Sequence, residues 1–417
     1  PEESFFKNVV DRVTAVGTAF MGMSVHCASC HDHKYDPLTQ KDFYSLFAFF
    51  NNIDAAPETN GGPKNGLQSP TALLATPDQE KKRNEINDEL AKLELELQDA
   101  KKIAQTEKDP QKKKMLAQTM EKLVASKKGL AKQRGEIERG MRRAMVMKDR
   151  STVRPTYVMK RGRYDAPGEK VTRNTPEFFP PMKKEDDVAS RSDLAEWFVD
   201  RRNPLTARVA VNRFWQQFFG TGLVRTSEDF GVQGEHPSHP ELLDWLAHRC
   251  IDDGWSLKKL PRLIMSSAAY QQVSAIRHEA ERRDPENRML WRMPLKRMEA
   301  EVVRDSILAV SGRLDQTPFG PPDPVSVRDD GLVTSRPGAR GWRRSLYVQH
   351  RRKHMPTILE TFDLPQMIPN CVQRPDSTVA SQALHLFNDG MIRKLSDAFA
   401  ERVTREAGRE PVSYTHL

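Results

Sequence analysis

Cys27-Ala-Ser-Cys30-His31 places two cysteines two residues apart with a histidine directly after, and no other five-residue window in the 417-residue chain has comparable chemical content. Two thiols at this spacing can add across the two vinyl groups on one edge of a porphyrin. The imidazole that follows can then rise beneath the iron as the proximal ligand, so the spacing predicts covalent haem c at Cys27, Cys30 and His31. The same residues admit zinc, held by Cys27, Cys30, His31 or His33 and one further ligand such as Cys250 or Cys371. A thioredoxin-like dithiol is disfavoured, because that motif opens a helix after a strand and no strand pattern precedes Cys27.

Four polar neighbours, His26, Asp32, His33 and Asp36, are tethered too close to the proximal residue to reach the opposite face of a ring. They are expected to contact the propionates or to orient the ligand. No methionine occurs between Met23 and Met115. A sixth ligand must therefore come from a distant residue, with His350, His354 and His385 as candidates, or the iron is five-coordinate. Two protein ligands would favour electron transfer, and an open position would permit peroxide or small-ligand chemistry.

A second group of residues consists of polar side chains inside otherwise apolar runs: Asn212, Arg213, Asp229, Glu301, Arg304, Asp305 and Asn388. Glu301 and Asp305 stand four apart on one helix face, a spacing that serves paired carboxylates and ordinary structural helices alike. This group motivates a second reading, in which a helical domain binds or processes an extracellular polymer.

The elements that must position these residues read as mainly α. Residues 1–77 hold helical stretches around the cysteine motif, with Thr39 opening an aromatic-rich run through Phe43, Tyr44, Phe47, Phe49 and Phe50. That run suits either ordinary core or the wall of a haem pocket. Residues 51–77 read as a surface loop. Over 78–148 a seven-residue period runs through Ile86, Leu93 and Ala100, through Leu90, Leu97 and Ala104, and again from Leu116 to Ile137. It predicts an antiparallel coiled-coil hairpin with Pro110 at its turn and a second arm weakened by Gly129, Gly135 and Gly140.

Residues 149–189 read as a connector with a short strand or two, and 190–410 as a helical domain. Within that domain Ser192 is expected to cap a helix through Phe198, and Thr206 to Phe219 to form another ended by Gly220. Pro240 to Ile251 and Ser256 to Val273 are expected to follow, and then Lys296 to Ser311 with a buried stripe of Met298, Val302, Val303, Ile307 and Leu308. Residues 312–342 read as a long loop, Ser345 to Gln349 as a strand, and 356–362 and 378–403 as closing helices. The last seven residues, 411–417, fit no preceding pattern and are expected to be a non-native tail, so His416 is left out of site arguments.

The net charge is +9, of which residues 78–150 supply +6 through 20 Lys and Arg against 14 Asp and Glu. A helical segment of mixed sign is a solvated face rather than a nucleic-acid footprint, so no specific nucleic-acid binding is expected. No run approaches the roughly twenty apolar residues of a membrane helix. Cys250 and Cys371 are left as free thiols or one disulfide, both compatible with export, and haem c is itself assembled outside the cytoplasm. The chain opens on Pro1, so a signal peptide is expected upstream.

Several blocks together resemble the planctomycete cytochrome-c-like family that pairs two domains of unknown function, 1549 and 1553. The first domain's signature is similar to Cys27 through Pro37 with Gln40-Lys-Asp-Phe-Tyr44. The second is similar to Asn203 through Trp215, Gly222 through Gly231, His239 through Leu246, Arg297 to Leu314, and Ser377 to Asn388. The resemblance covers nearly everything outside the hairpin and the tail, and includes only the end of the first domain. It implies an exported, haem-associated protein, with a further cytochrome domain expected upstream. Relatives carry a histidine before the position of Arg262, where this chain has Pro261.

The leading expectation is an exported c-type-haem protein with a redox or electron-transfer role and an unknown redox partner. The alternatives are a haem-free, zinc-stabilised protein acting on an extracellular polymer, and an assembly protein that docks a partner through the hairpin.

Overall fold

The computed structural model describes residues 2–54, 70–351, 354–365, 371 and 373–407. Of the expected loop over 51–77, residues 55–69 lie outside the described residues, as does all of the tail from 411; the described remainder is not all loop, since Thr71–Leu74 form a strand and Pro77 starts a helix. The chain divides into two compact units, Pro1–Val10 with Tyr44–Asn174 and Asp11–Phe43 with Thr175–Leu417. Helices α1 (Glu2–Val16) and α2 (Gln40–Asn51) contribute residues to both. A reciprocal cap starts α2: Thr39 N–H donates to the Asp42 carboxylate at 2.9 Å, and Asp42 N–H donates to Thr39 Oγ1 at 3.1 Å.

In the first unit Val9, Tyr44, Phe47 and Phe49 are buried, with the Phe6 and Phe47 rings 5.4 Å apart. Strand β1 (Thr71–Leu74) leads into α3 (Pro77–Thr106) and α4 (Pro110–Arg139), and β2 (Arg142–Met145) returns antiparallel to β1. Each long helix has a strong start. Thr76 and Gln79 form a capping box ahead of Pro77, and Asp109 caps α4 ahead of Pro110.

The two helices pack on each other along a narrow stripe in which Leu97 and Ala100 are buried, and Lys127 reaches Glu94 across the pair. Gly129 and Gly135 sit inside an unbroken α4, and Gly140 ends it. Below the pair, β3 (Thr156–Met159) and β4 (Pro167–Val171) form an antiparallel ribbon. Asn51 ties α2 to this ribbon, its Nδ2 donating to Thr156 Oγ1 at 2.9 Å.

Leu74 pairs with Arg142 at the foot of the helical pair, so the two chain ends already stand at hairpin distance. Replacing residues 75–141 with Asn-Gly is therefore expected to remove both long helices while leaving the rest of the fold intact. All six tryptophans lie between 197 and 342, in the second unit. Their fluorescence unfolding transition is expected at the parent temperature, and its loss would show that the helical pair is needed for folding.

The second unit contains α5 (Arg191–Val199), α6 (Thr206–Phe219), α7 (Pro240–Asp252), α8 (Lys259–Met265), α9 (Ala268–Gln271), α10 (His278–Arg283) and α11 (Ala300–Val310). Four short strands follow: β5 (Leu314–Asp315), β6 (Val325–Val327), β7 (Val333–Ser335) and β8 (Trp342–Arg343). The described chain closes with α12 (Thr357–Thr361), α13 (Ala380–Asn388) and α14 (Gly390–Ala407). One core is built from α6, α7 and α8 around Val211, Trp215, Leu243, Leu246 and Ile264. A smaller one gathers Ala300, Ile358, Leu359 and Ile392. No described helix is long and apolar enough to cross a membrane.

Several expectations are corrected here. The cap of α5 is Ser190, whose hydroxyl accepts from Asp193 N–H and whose N–H donates to the Asp193 carboxylate, not Ser192. Residues 256–273 form two short helices rather than one. Residues 312–342 hold paired strands, β6 antiparallel to β7 and β5 parallel to β8. Ser345–Tyr347 is a tight helical turn instead of a strand, because Arg304 and Asp305 occupy the polar groups of Ser345. The final helix is broken at Asp389, whose carboxylate accepts from the N–H groups of Met391 and Ile392 and caps α14.

The expected stripe of α11 holds in part: Leu308 is buried and Val303 and Ile307 pack against the smaller core, but Met298 and Val302 are exposed and Ala300 and Arg304 are buried instead.

Candidate cofactor-attachment site and its platform

A short helical turn, Val25–Ser29, carries Cys27, and the chain leaves it through Cys30 and His31. Val25, Ala28 and Ser29 are buried and anchor the turn, while Cys27, Cys30 and His31 face solvent. Both thiols are free. The imidazole of His31 has its Nδ1 2.6 Å from the carbonyl oxygen of Asp32. A carbonyl only accepts, so the ring hydrogen is on Nδ1 and the lone pair of Nε2 is left for a ligand.

The flanking polar residues already have structural work. Asp32 accepts from Gln40 N–H at 2.7 Å and caps α2. His33 is inward-facing: its Nδ1 accepts from Asp36 N–H at 2.9 Å, which places the ring hydrogen on Nε2, donating to Ser24 Oγ at 3.2 Å. Asp36 is buried, and its carboxylate accepts from Val232 N–H at 2.8 Å. His26 is exposed, with Nδ1 3.5 Å from Thr14 Oγ1.

The motif is seated on a platform 200 residues later in sequence. Gly22 carries φ +57°, and a Cβ there would lie 2.7 Å from the Phe230 ring and 2.9 Å from Val209. Its carbonyl accepts from Phe230 N–H at 2.6 Å. At Gly231 a Cβ would come within 2.4 Å of the Asp36 carboxylate. Both contacts therefore need glycine, one on each side of the seam. The platform loop is itself held by Asn212, fully buried, whose side chain donates to the Val224 carbonyl at 2.9 Å and accepts from Val224 N–H at 2.8 Å. Asp229 closes the turn by accepting from Gly231 N–H.

Arg213 ties α6 to the stretch ahead of the motif, donating from Nη2 to the Thr18 carbonyl at 2.7 Å; burial pushes its pKa down against the pull of Glu228. A family described as Protein of unknown function (DUF1553), PSD1, matches residues 190–416, and one described as Protein of unknown function (DUF1549), PSCyt2, matches residues 1–55. The chain belongs to the DUF1553 family. It carries the end of a DUF1549 segment ahead of it, as the motif blocks implied. No curated protein and no solved structure matches the chain.

Of the seven polar residues picked out in the DUF1553 region, Asn388 is exposed at the end of α13 and the other six fall into two groups. Asn212, Arg213 and Asp229 form or support the platform just described. Glu301, Arg304 and Asp305 meet on α11. Arg304 is fully buried, its guanidinium donating to the Arg343 carbonyl, Ser345 Oγ, Ser335 Oγ and the Asp305 carboxylate over 2.8–3.2 Å. Burial lowers its pKa, opposed by Asp305.

Glu301 turns the other way, with Oε2 2.7 Å from Arg374 Nη1. Burial alone would raise its pKa, but Arg374, a backbone hydrogen bond and His350 together offset this and the net shift is down. Ser345, Arg374 and Gly231 are partners that the sequence reading missed. Ser345 was hidden in an apparent strand, and Gly231 carries no chemical signal of its own.

His350, one of the expected distal ligands, lines a groove with Glu301, Asp305 and Leu346. Burial depresses its pKa below the usual 6.5, with Glu301 opposing and Arg304 adding to the fall. Its neutral form is thus favoured in the fold. The stability this confers is full above pH 6.5 and is lost as pH falls through that value towards the folded pKa. His350→Gln is expected to flatten the dependence of melting temperature on pH as pH falls below 6.5. An unchanged slope would remove His350 from that dependence.

Cys250 is buried in the core of α6, α7 and α8, where burial raises its pKa, and Cys371 is exposed beside Arg374. The two do not form a disulfide. Among the described residues no three of His, Cys, Asp and Glu converge on a common metal position. The aromatic residues of α2 are packed as core, with Phe43, Tyr44, Phe47, Phe49 and Phe50 all buried.

The attachment residues fit a thioether-linked group. Two free thiols reach solvent beside an imidazole whose tautomer is fixed for ligation through Nε2.

Proposed function

We propose that this protein is an extracytoplasmic redox protein in which Cys27 and Cys30 hold haem c by thioether bonds and His31 is the proximal ligand. The observation that carries the reading is the 2.6 Å contact from His31 Nδ1 to the Asp32 carbonyl, which presets the donor nitrogen next to two exposed thiols. Haem supplies one-electron chemistry when bound. This chain's residues do the positioning. Val25, Ala28 and Ser29 anchor the turn, Asp32 orients His31 through its backbone, and the seam from Gly22 and Asp36 to Phe230, Gly231 and Val232 fixes the turn on the DUF1553 region.

The polymer reading has less support, because Asn212, Arg304 and Asp305 are all engaged with neighbouring protein groups. The test is a pyridine haemochrome spectrum with intact mass, taken on the full-length protein exported from a host with haem-c maturation machinery. A c-type spectrum with a haem-sized mass increment is expected. A folded protein with no added mass would overturn the proposal.

A further inference from the structure

A cavity of about 230 Å³ lies where the end of α6 and residues 221–225 meet the loop over 284–295. Its floor is apolar: Trp215 and Phe219 stack with ring centroids 4.3 Å apart, beside Leu223 and Leu290. Its wall carries three guanidinium groups, Arg225, Arg288 and Arg292, against the single carboxylate of Glu286.

Two of the three cations are paired at the rim. Arg225 lies 2.8 Å from Glu286 and Arg288 lies 3.4 Å from Glu235, and those two carboxylates are well exposed. Solvent-facing pairs of this kind contribute little and exchange partners readily. Arg292 is different. Its Nε is buried with no hydrogen-bond partner, and its guanidinium stands 5.1 Å from the centre of the Trp291 ring. Among the described residues no carboxylate pairs with this guanidinium, so its charge is left for an arriving oxyanion.

The loop that presents Arg292 is held in a conformation most residues avoid. Asn287 and Leu290 both have φ +53°, and a leucine in the left-handed region is a true outlier. The surrounding contacts enforce it. The Asp284 carboxylate accepts from the N–H groups of Arg288 and Met289 at 2.9 and 2.8 Å, and Trp291 Nε1 donates to the Asp284 carbonyl at 2.8 Å. The Asn287 side chain meets both backbone groups of Arg292, at 2.9 and 3.2 Å. Strain maintained in this way beside a cavity is characteristic of a preorganised binding loop.

We propose that this cavity binds a compact ligand bearing an oxyanion, received by Arg292 with Arg225 and Arg288, with the ligand's body resting on the Trp215 and Phe219 floor. The volume is many times the ~10–15 Å³ that one water needs on this measure, so the cavity admits a compact molecule, for which a sugar acid serves as the probe. The oxyanion completes Arg292 and competes with Glu286 for Arg225.

Calorimetric titration of the full chain with sodium glucuronate tests this, with glucose at equal ionic strength as the neutral comparison and tryptophan fluorescence as a second readout. Saturable binding of glucuronate and none of glucose is expected. Arg292→Gln is expected to weaken the affinity about tenfold or more. Arg288→Gln, at a more exposed position that keeps the fold, is expected to weaken it less. Competition by polyglucuronate would identify the acidic unit of a polymer as the ligand, and failure to compete would identify a free acid. No saturable binding of glucuronate, sulfate or phosphate would overturn the proposal, as would an affinity unchanged in both variants.

Discussion

Arg304→Met is expected to destabilise the second unit by about 3–5 kcal/mol, the range for removing one partner from a buried, hydrogen-bonded charge pair. The methionine fills most of the volume but donates nothing. The Arg343 carbonyl, Ser335 Oγ and the Asp305 carboxylate would each lose a buried donor. Urea unfolding followed by tryptophan fluorescence reads this directly, since every tryptophan lies in that unit. Arg328→Met, at an exposed arginine paired only with Asp330, is the comparison and should change stability by less than about 0.5 kcal/mol. Equal effects from the two variants would mean that Arg304 is not the keystone of this region.

The double variant Cys27→Ala, Cys30→Ala is expected to lose all covalent haem when exported beside haem-c maturation machinery, with no shift in its fluorescence unfolding curve. Both halves of that expectation rest on exposure. Each thiol faces solvent, and Cys30 makes a weak hydrogen bond to Ser29 Oγ at 3.6 Å, so the fold has little to lose. Each single variant is expected to keep one thioether and to show a shifted haemochrome band. Haem retained covalently by the double variant would place the attachment elsewhere.

The sequence was most informative where one residue type permits only one role. Gly220 ends α6, and Pro110 marks the turn between the two long helices, because these positions are set by local backbone chemistry. The cysteine motif was legible for the same reason, as a chemical spacing that needs no tertiary context. Long-range polar contacts were not legible. Arg304 sits on a helix whose apolar residues suggested a stripe from Met298 to Leu308; Val303, Ile307 and Leu308 do pack inward, but Arg304 is buried as well, satisfied by Ser335 and Ser345, while Met298 and Val302 stay exposed. Ser345 itself looked like strand because Leu346, Tyr347 and Val348 are β-formers, and its hydrogen bonds to α11 outweigh that preference. Asp36 and His33 read as cofactor neighbours, and the fold uses both to hold backbone.

The seam between Asp36 and Val232 closes 196 residues of chain, and the contact of Arg213 with Thr18 closes 195. A chain made at about 5–20 residues per second takes roughly ten to forty seconds to supply the second half of either contact. Throughout that interval the turn bearing Cys27 and Cys30 has no platform, so its thiols and His31 are presented on an undocked segment. The proposed covalent loading follows export, so it would act on this segment most freely until Phe230, Gly231 and Val232 have also crossed and fix it in place.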